Sequence, residues 1–315
     1  MNLQLQATRV AMRALERTAP RLGAALAERL FFTPPRTTLT PSVRDMLATG
    51  RHFRVCVDEG RVSAWAWGSG PVIALVHGWG GRGGRLAVPF VEPLLASGFS
   101  VVTFDSPGHG ASDGKLSSMP QFARALGAVA AEVGSVYGIV AHSMGGSATT
   151  LAMSDGLQVE RAVYIAPAAD PARFAQDFAK LLAVGPIALE GMRQRSEARL
   201  RFRWADLNVP RLAARLKAPL LVVHDRDDTT VPYDEGVAIA AAWPGAELVS
   251  TTGLGHRDIV RDLEVVGRAV AFLRAAPSTG VDAAPSAVEA EGAWLDRDLF
   301  DRDGRRRRLF GISDT

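Results

Sequence analysis

The chain has 315 residues, of which 47% are apolar and 22% are charged, and its formal net charge is +3. These fractions are typical of globular proteins, and they exclude a wholly disordered, collagen-like or coiled-coil chain. The single cysteine, Cys56, cannot form an intramolecular disulfide, and no zinc-site spacing surrounds it. Stability must therefore come from packing, and the length is sufficient for one or two domains.

The sequence predicts neither a membrane span nor a secretory leader. No segment approaches the 18 or so uninterrupted apolar residues that a spanning helix needs. Charged side chains interrupt the place where the apolar part of a secretory signal would lie, namely Arg9, Arg13, Glu16 and Arg17. We therefore expect a cytoplasmic protein.

Positive charge is concentrated in the first part of the chain, where residues 1–54 hold nine arginines and three acidic residues. We predict an N-terminal helical segment over residues 1–50, in which Pro20 begins a helix with leucines at spacing four, Leu22, Leu26 and Leu30. Such a helix packs on the body with its arginines in water, or it makes weak contact with an anionic membrane surface.

The central region alternates between strand and helix patterns. Residues 53–57 and 62–67 are typical of a β-hairpin, and short apolar runs then alternate with amphipathic stretches such as 121–133. Strands that are apolar on both faces predict an α/β fold with a mostly parallel sheet flanked by helices. The predicted strands after the hairpin cover residues 72–76, 101–104, 137–141, 162–165, 220–224 and 247–250.

Two segments interrupt this alternation. Between residues 165 and 220 the pattern is helical, which predicts a small helical cap, 168–216, over the carboxyl ends of the strands. Residues 277–315 have the composition of a flexible C-terminal tail, so the main domain is predicted to cover 51–276. The arginine run at 305–308 lies beside aspartates and is too weak a pattern to predict nucleic-acid binding.

The segment with the clearest chemistry follows a predicted strand and precedes a predicted helix, and it reads Val140-Ala141-His142-Ser143-Met144-Gly145-Gly146. A serine on such a turn projects its hydroxyl at the sheet edge, and the turn requires small side chains two residues to either side. The segment resembles the nucleophile elbow of the α/β-hydrolase superfamily, G-x-S-x-G. Ala141 replaces the first glycine, as in the A-H-S-M-G form of some bacterial lipases.

Two further segments resemble the same superfamily. The exit of the first parallel strand, His77-Gly78-Trp79, is similar to the H-G-x loop, and the resemblance implies that the backbone N–H groups of Trp79 and Met144 form an oxyanion hole. Residues 105–112 resemble the D-x-P-G-H-G-x-S turn, which we interpret as structural. The sequence identifies no partner for His109 within that turn.

A serine nucleophile needs a base and an orienting acid. Asp225, Asp227 and Asp228 follow the strand at 220–224, and the superfamily pattern selects Asp228, four residues before a proline, with Asp227 as the alternative. His256 follows the last predicted strand and completes the order serine, acid, histidine that this fold uses. We expect His142, adjacent to the serine, to point elsewhere.

The resemblance implies a serine hydrolase that cleaves small-molecule carboxylic esters through an acyl-enzyme, with Ser143, Asp228 and His256 as catalytic residues and without a cofactor or metal. An apolar cap favours short or medium acyl chains. Thioesterases, lipases and acyltransferases share the fold, so they remain alternatives, as do a non-catalytic ligand-binding member and a membrane-surface protein. The sequence leaves the oligomeric state open.

Overall fold

The computed structural model describes residues 3–275, so the predicted tail 277–315 lies outside the described residues. Within that range no helix combines the length and the apolar character that a membrane crossing requires.

Eight strands form one sheet in the order β1-β2-β4-β3-β5-β6-β7-β8. The pairs β1–β2 and β2–β4 are antiparallel, and every other neighbouring pair is parallel, which confirms the predicted α/β class. The predicted hairpin is β1–β2, in which Val57 pairs with Gly60 across a two-residue turn. The strands are β1 Arg51–Val57, β2 Gly60–Trp67, β3 Val72–Val76, β4 Ser100–Phe104, β5 Val136–His142, β6 Arg161–Ile165, β7 Leu220–Asp225 and β8 Glu247–Thr251.

Helices cover both faces of this sheet, and each face has its own apolar core. One core includes Phe122 and Leu126, and the other includes Phe90 and Leu94. Since β3, β5, β6 and β7 are parallel, their carboxyl ends meet at one edge, where ligands bind in such folds. The helices are α1 Leu3–Thr18, α2 Pro20–Phe32, α3 Pro41–Ala48, α4 Gly83–Ala96, α5 Met119–Val133, α6 Met144–Ser154, α7 Pro171–Leu182, α8 Pro186–Leu200, α9 Val209–Ala213, α10 Tyr233–Ala242, α11 Gly255–Asp258 and α12 Leu263–Arg274, with 3₁₀ turns at Trp204–Leu207 and Ile259–Arg261.

The N-terminal helix α2 packs on α8, which lies between β6 and β7 in the region predicted as a cap. The predicted leucine stripe is packed only in part: Leu26 packs against a small core that includes Ala27, whereas Leu22 is 65% exposed. Ala24 and Ala27 are buried. The two helices are so close that a Cβ added to Gly191 would lie 2.7 Å from the Cβ of Ala24. Small side chains therefore determine this interface, because they let the two backbones approach.

Two glutamates link the N-terminal segment to α8. Glu28 is 6% exposed, and its carboxylate accepts hydrogen bonds from Arg195 Nε at 2.9 Å and Arg199 Nε at 2.8 Å. The Glu16 carboxylate accepts the backbone N–H groups of Ile187 and Ala188, in the first turn of α8. The Glu16 carboxylate is favourable at the N-terminus of α8, and the Glu28 carboxylate makes charge-assisted hydrogen bonds, so both contacts hold the segment on α8.

We expect Glu28→Ala to lower the free energy of unfolding by about 1–3 kcal/mol, because two charge-assisted hydrogen bonds to a buried carboxylate are lost. The matched control is Glu264→Ala, which breaks an exposed i,i+4 pair with Arg268 and is expected to cost less than about 0.5 kcal/mol. Urea unfolding followed by circular dichroism measures both. Equal losses in the two variants would contradict a structural role for Glu28.

Candidate active site

Ser143 lies at the junction of β5 and α6 in a strained backbone conformation, with φ 55° and ψ −127°. Positive φ is unfavourable for a residue with a Cβ, so neighbouring structure must impose it. A Cβ added to Gly145 would lie 2.5 Å from the carbonyl oxygen of Val76, and one added to Gly78 would lie 2.7 Å from Ser143 Cβ. Only glycine fits at these two positions, which hold the turn against the end of β3.

The structure brings together the three residues predicted for catalysis. His256 Nε2 lies 3.1 Å from Ser143 Oγ, and His256 Nδ1 lies 2.7 Å from Asp228 Oδ2. Because a carboxylate only accepts, the proton of the neutral imidazole lies on Nδ1, and Nε2 is free to accept from the serine hydroxyl. This arrangement can deprotonate an attacking hydroxyl.

Asp228 is buried and keeps its charge. Its Oδ1 accepts the backbone N–H groups of Thr230 and Val231 at 2.8 and 2.9 Å. Burial alone would raise the pKa of Asp228, but hydrogen bonds from His224, His256 and the Val231 N–H outweigh it and hold the pKa well below its usual range. The carboxylate is therefore ionised beside the histidine across the neutral pH range.

The two competing aspartates lie elsewhere. Asp227 is exposed and accepts the backbone N–H of Gly253 at 2.8 Å, so it supports the loop that carries His256. Asp225 is buried at the end of β7 and accepts from Thr251 Oγ1 and the Leu254 N–H. Neither occupies the position of Asp228 at the ring of the histidine.

His142 contacts the site, contrary to the expectation that it points elsewhere. Its ring centroid lies 4.7 Å from that of His256, and its Nε2 donates to the His256 carbonyl oxygen at 2.9 Å. Burial, and secondarily the charge of His256, lowers the pKa of His142 to about 3. A neutral His142 therefore holds the backbone of His256 in place.

The turn at 105–112 holds the loop after β3. Asp105 is buried, and its carboxylate accepts the N–H groups of Gly83 and Ala111 at 2.9 and 2.8 Å. The partner of His109, which sequence did not identify, is the Gly80 N–H, which donates to His109 Nε2 at 3.0 Å. These bonds fix the loop that presents Trp79.

His77 and His109 must be neutral to act as acceptors. His77 Nε2 accepts the Ser106 N–H at 3.0 Å, while its Nδ1–H donates to the Gly78 carbonyl. Burial lowers the pKa of His77 to about 4 and that of His109 to about 3. Above those values both rings keep an unprotonated nitrogen for the backbone N–H groups.

A cavity of about 860 Å³ opens on Ser143 and His256. Much of its apolar lining comes from the N-terminal segment and from the region between β6 and β7. The first contributes Leu30, Phe31, Phe32 and Pro35, and the second contributes Phe174, Phe178, Leu200, Trp204 and Leu207. Trp79 and Met144, predicted to donate to an oxyanion, also line it.

Another part of the cavity lining is basic and consists of Arg82, Arg85, Arg257 and Arg261, with Asp258.

A family model described as the alpha/beta hydrolase family matches residues 73–269. The chain belongs to the alpha/beta hydrolase family. Solved structures with the same fold include an esterase of Pyrococcus furiosus, with TM-score 0.61 and 21% identity over 77% of this chain and 98% of that one. An esterase from Exiguobacterium antarcticum matches with TM-score 0.55 and 14% identity over 71% and 100% of the two chains. A bromoperoxidase from Bacillus anthracis matches with TM-score 0.53 and 18% identity over 71% and 99%.

Sequence reasoning missed two parts of the site of this alpha/beta hydrolase. The aromatic pair Phe31-Phe32 lies in a helix outside the matched residues, and only packing on the main domain brings it to the cavity. The sequence positions of the arginines could have indicated their place at the site, since Arg82 and Arg85 closely follow the His77 loop and Arg257 is adjacent to His256. Among residues 3–275, no three His, Cys, Asp or Glu side chains are grouped so as to hold a metal ion.

We expect His142→Gln to reduce the dependence of the free energy of unfolding on acid pH. The pKa of His142 is about 3 in the folded chain against an ordinary value of 6.5, so the ring takes up its proton only on unfolding between these values. The neutral ring's contribution to the free energy of unfolding is intact above pH 6.5 and is lost as the pH falls toward 3. The loss is up to about 1.4 kcal/mol per pH unit. Glutamine removes this titration but keeps an N–H donor. Urea unfolding at intervals between about pH 4 and pH 6 measures the slope, and an unchanged slope contradicts the assignment.

Proposed function

We propose that this chain is a serine hydrolase that cleaves carboxylic esters with short or medium acyl chains through an acyl-enzyme. The observation that supports it is the continuous hydrogen-bonded chain from Ser143 through His256 to Asp228, open to a largely apolar cavity. Cavities of about 300–1,000 Å³ with a few polar groups are typical of small-molecule sites.

In the proposed reaction, Ser143 Oγ attacks the ester carbonyl carbon while His256 Nε2 takes the hydroxyl proton. The tetrahedral intermediate collapses, and the alcohol leaves with the proton that His256 returns. Water then attacks the acyl-enzyme with the same base and releases the acid. Asp228 keeps the imidazole in the required tautomer and stabilises its cation.

The N–H groups of Trp79 and Met144 are proposed to stabilise the oxyanion. Met144 is the first residue of α6, so its N–H is among those without a partner inside the helix. The close approach to Ser143 of Gly78, the residue before Trp79, supports the assignment of the Trp79 N–H as the second donor. Backbone donors held in this way are worth about 3 kcal/mol each in the transition state.

A fluorophosphonate probe followed by peptide mass mapping tests the nucleophile. We expect a covalent adduct on Ser143, together with hydrolysis of 4-nitrophenyl esters, and we expect both to be lost in Ser143→Ala. The matched control is Ser154→Ala, an exposed serine at the end of α6 that does not line the cavity, which should retain labelling of Ser143. An adduct on another residue, or ester hydrolysis that survives in Ser143→Ala, would overturn the proposed mechanism.

Replacing each aspartate separately tests the assignment of the acid. We expect Asp228→Asn to lower kcat by about 10³–10⁴-fold, because the amide no longer favours the tautomer with its proton on Nδ1. Asp227→Asn alters only the support of the His256 loop, so we expect a loss of less than about tenfold. Steady-state kinetics with a 4-nitrophenyl ester measure both variants. A larger loss in Asp227→Asn would transfer the role to that residue.

A further inference from the structure

We infer that the cavity binds an ester or thioester that carries an anionic group, a carboxylate or a phosphate, and that Arg85, Arg257 and Arg261 hold that group. The inference rests on the proposed function and specifies its substrate class. The composition of the cavity wall and the positions of these arginines support it.

The basic side chains come from three elements that line the cavity with the proposed nucleophile: α4, α11 and the 3₁₀ turn after α11. Arg85 lies in the first turn of α4, after the loop that follows β3. Arg257 is in α11, the same short helix that carries His256, and Arg261 ends the 3₁₀ turn that follows. Their placement next to the catalytic base puts a bound anion close to the reacting bond.

The cavity wall carries more positive than negative side chains. The lining includes Arg82, Arg85, Arg257 and Arg261, whereas Asp258 is its one exposed carboxylate. Arg82 already has a structural role, because its Nε and Nη2 donate to the Thr37 carbonyl oxygen at 3.2 and 2.8 Å. In the part of the chain that the structure describes, no ion pair or side-chain hydrogen bond engages the other three arginines.

Arg85 is the most constrained of the group. It is half-buried, and burial, followed by the like charges of Arg257, Arg261 and Arg82, lowers its pKa. Like charges held together destabilise the unliganded protein, and an anion placed among them relieves that repulsion. Arginine also suits this task, since its planar guanidinium pairs with carboxylate and phosphate oxygens in a bidentate manner.

Another part of the cavity wall is apolar and favours an apolar group in the substrate. The ring of Phe31 packs edge-on against Phe178 at 5.1 Å and stacks on Trp204 at 6.0 Å, and all three line the cavity. A substrate that satisfies both parts of the wall has an apolar group and an anionic group. The anion belongs either to the acyl chain, as in a dicarboxylic acid monoester, or to a phosphate-bearing leaving group.

Two pairs of probes distinguish these sources. For an acyl-side carboxylate, 4-nitrophenyl hydrogen glutarate is compared with the neutral 4-nitrophenyl pentanoate. For a leaving-group phosphate, butyryl-coenzyme A is compared with the neutral S-butyryl-N-acetylcysteamine. We expect kcat/KM to be at least about tenfold higher for the anionic member of one pair, the size of a charge-assisted hydrogen bond. The ratio should decrease as ionic strength rises.

Arginine variants of the full-length protein test whether these side chains cause the preference for the anionic probe. We expect Arg85→Gln, and the double variant Arg257→Gln with Arg261→Gln, to lower the anionic-to-neutral ratio of kcat/KM by about tenfold for the probe pair that shows the preference. The matched control is Arg44→Gln, an exposed arginine of α3 that does not line the cavity. It removes the same charge and should leave the ratio as in the unaltered protein.

Binding to Ser143→Ala separates this inference from the proposed reaction. Isothermal titration with the same probes reports affinity without turnover, and we expect the anionic member to bind more tightly in a manner that depends on Arg85. Absence of ester or thioester turnover in the unaltered protein, with tighter binding of the anionic probe intact, would overturn the reaction but support the inference. Ratios near one in both pairs, or ratios that the arginine variants leave unchanged, would overturn the inference whether or not the esters are hydrolysed.

Discussion

The site depends on the close packing of one strained turn against the end of a neighbouring strand. Ser143 adopts its unfavourable backbone conformation because α6 begins immediately after β5 and because Gly145 lies against the carbonyl groups at the end of β3. The same contact brings Gly78 against the serine. The turn and the loop after β3 are thus held in one position, and the proposed nucleophile and oxyanion donors are set by backbone geometry rather than by flexible side chains.

Buried imidazoles maintain this geometry in their neutral state. His77 and His109 each accept a backbone N–H, and His142 donates to the carbonyl group of His256. Protonation would replace an acceptor with a donor at His77 and His109 and would place a charge in an apolar environment. The rigidity of the site is therefore linked to pH through residues that take no part in the proposed chemistry.

The cavity is built jointly by segments that are distant in sequence. Helix α2 reaches it through Phe31 and Phe32 and is held on α8 by the buried Glu28. The lining of the cavity at Ser143 thus includes the N-terminal segment, the helices between β6 and β7, and the arginine-bearing elements. We propose that the apolar parts set chain length and that the basic part selects charge.

The sequence alone determined the α/β class and the candidates Ser143, Asp228 and His256, since strand patterns and local motifs depend on neighbouring residues. It left Asp227 as an alternative, because adjacent carboxylates differ only in where the loop directs them. Tertiary structure alone decided that Asp228 reaches the imidazole, that the small residues of α2 form its contact with α8, and that four arginines line the same cavity as His256. Those outcomes depend on contacts between residues far apart in the chain, and local periodicity carries no information about such contacts.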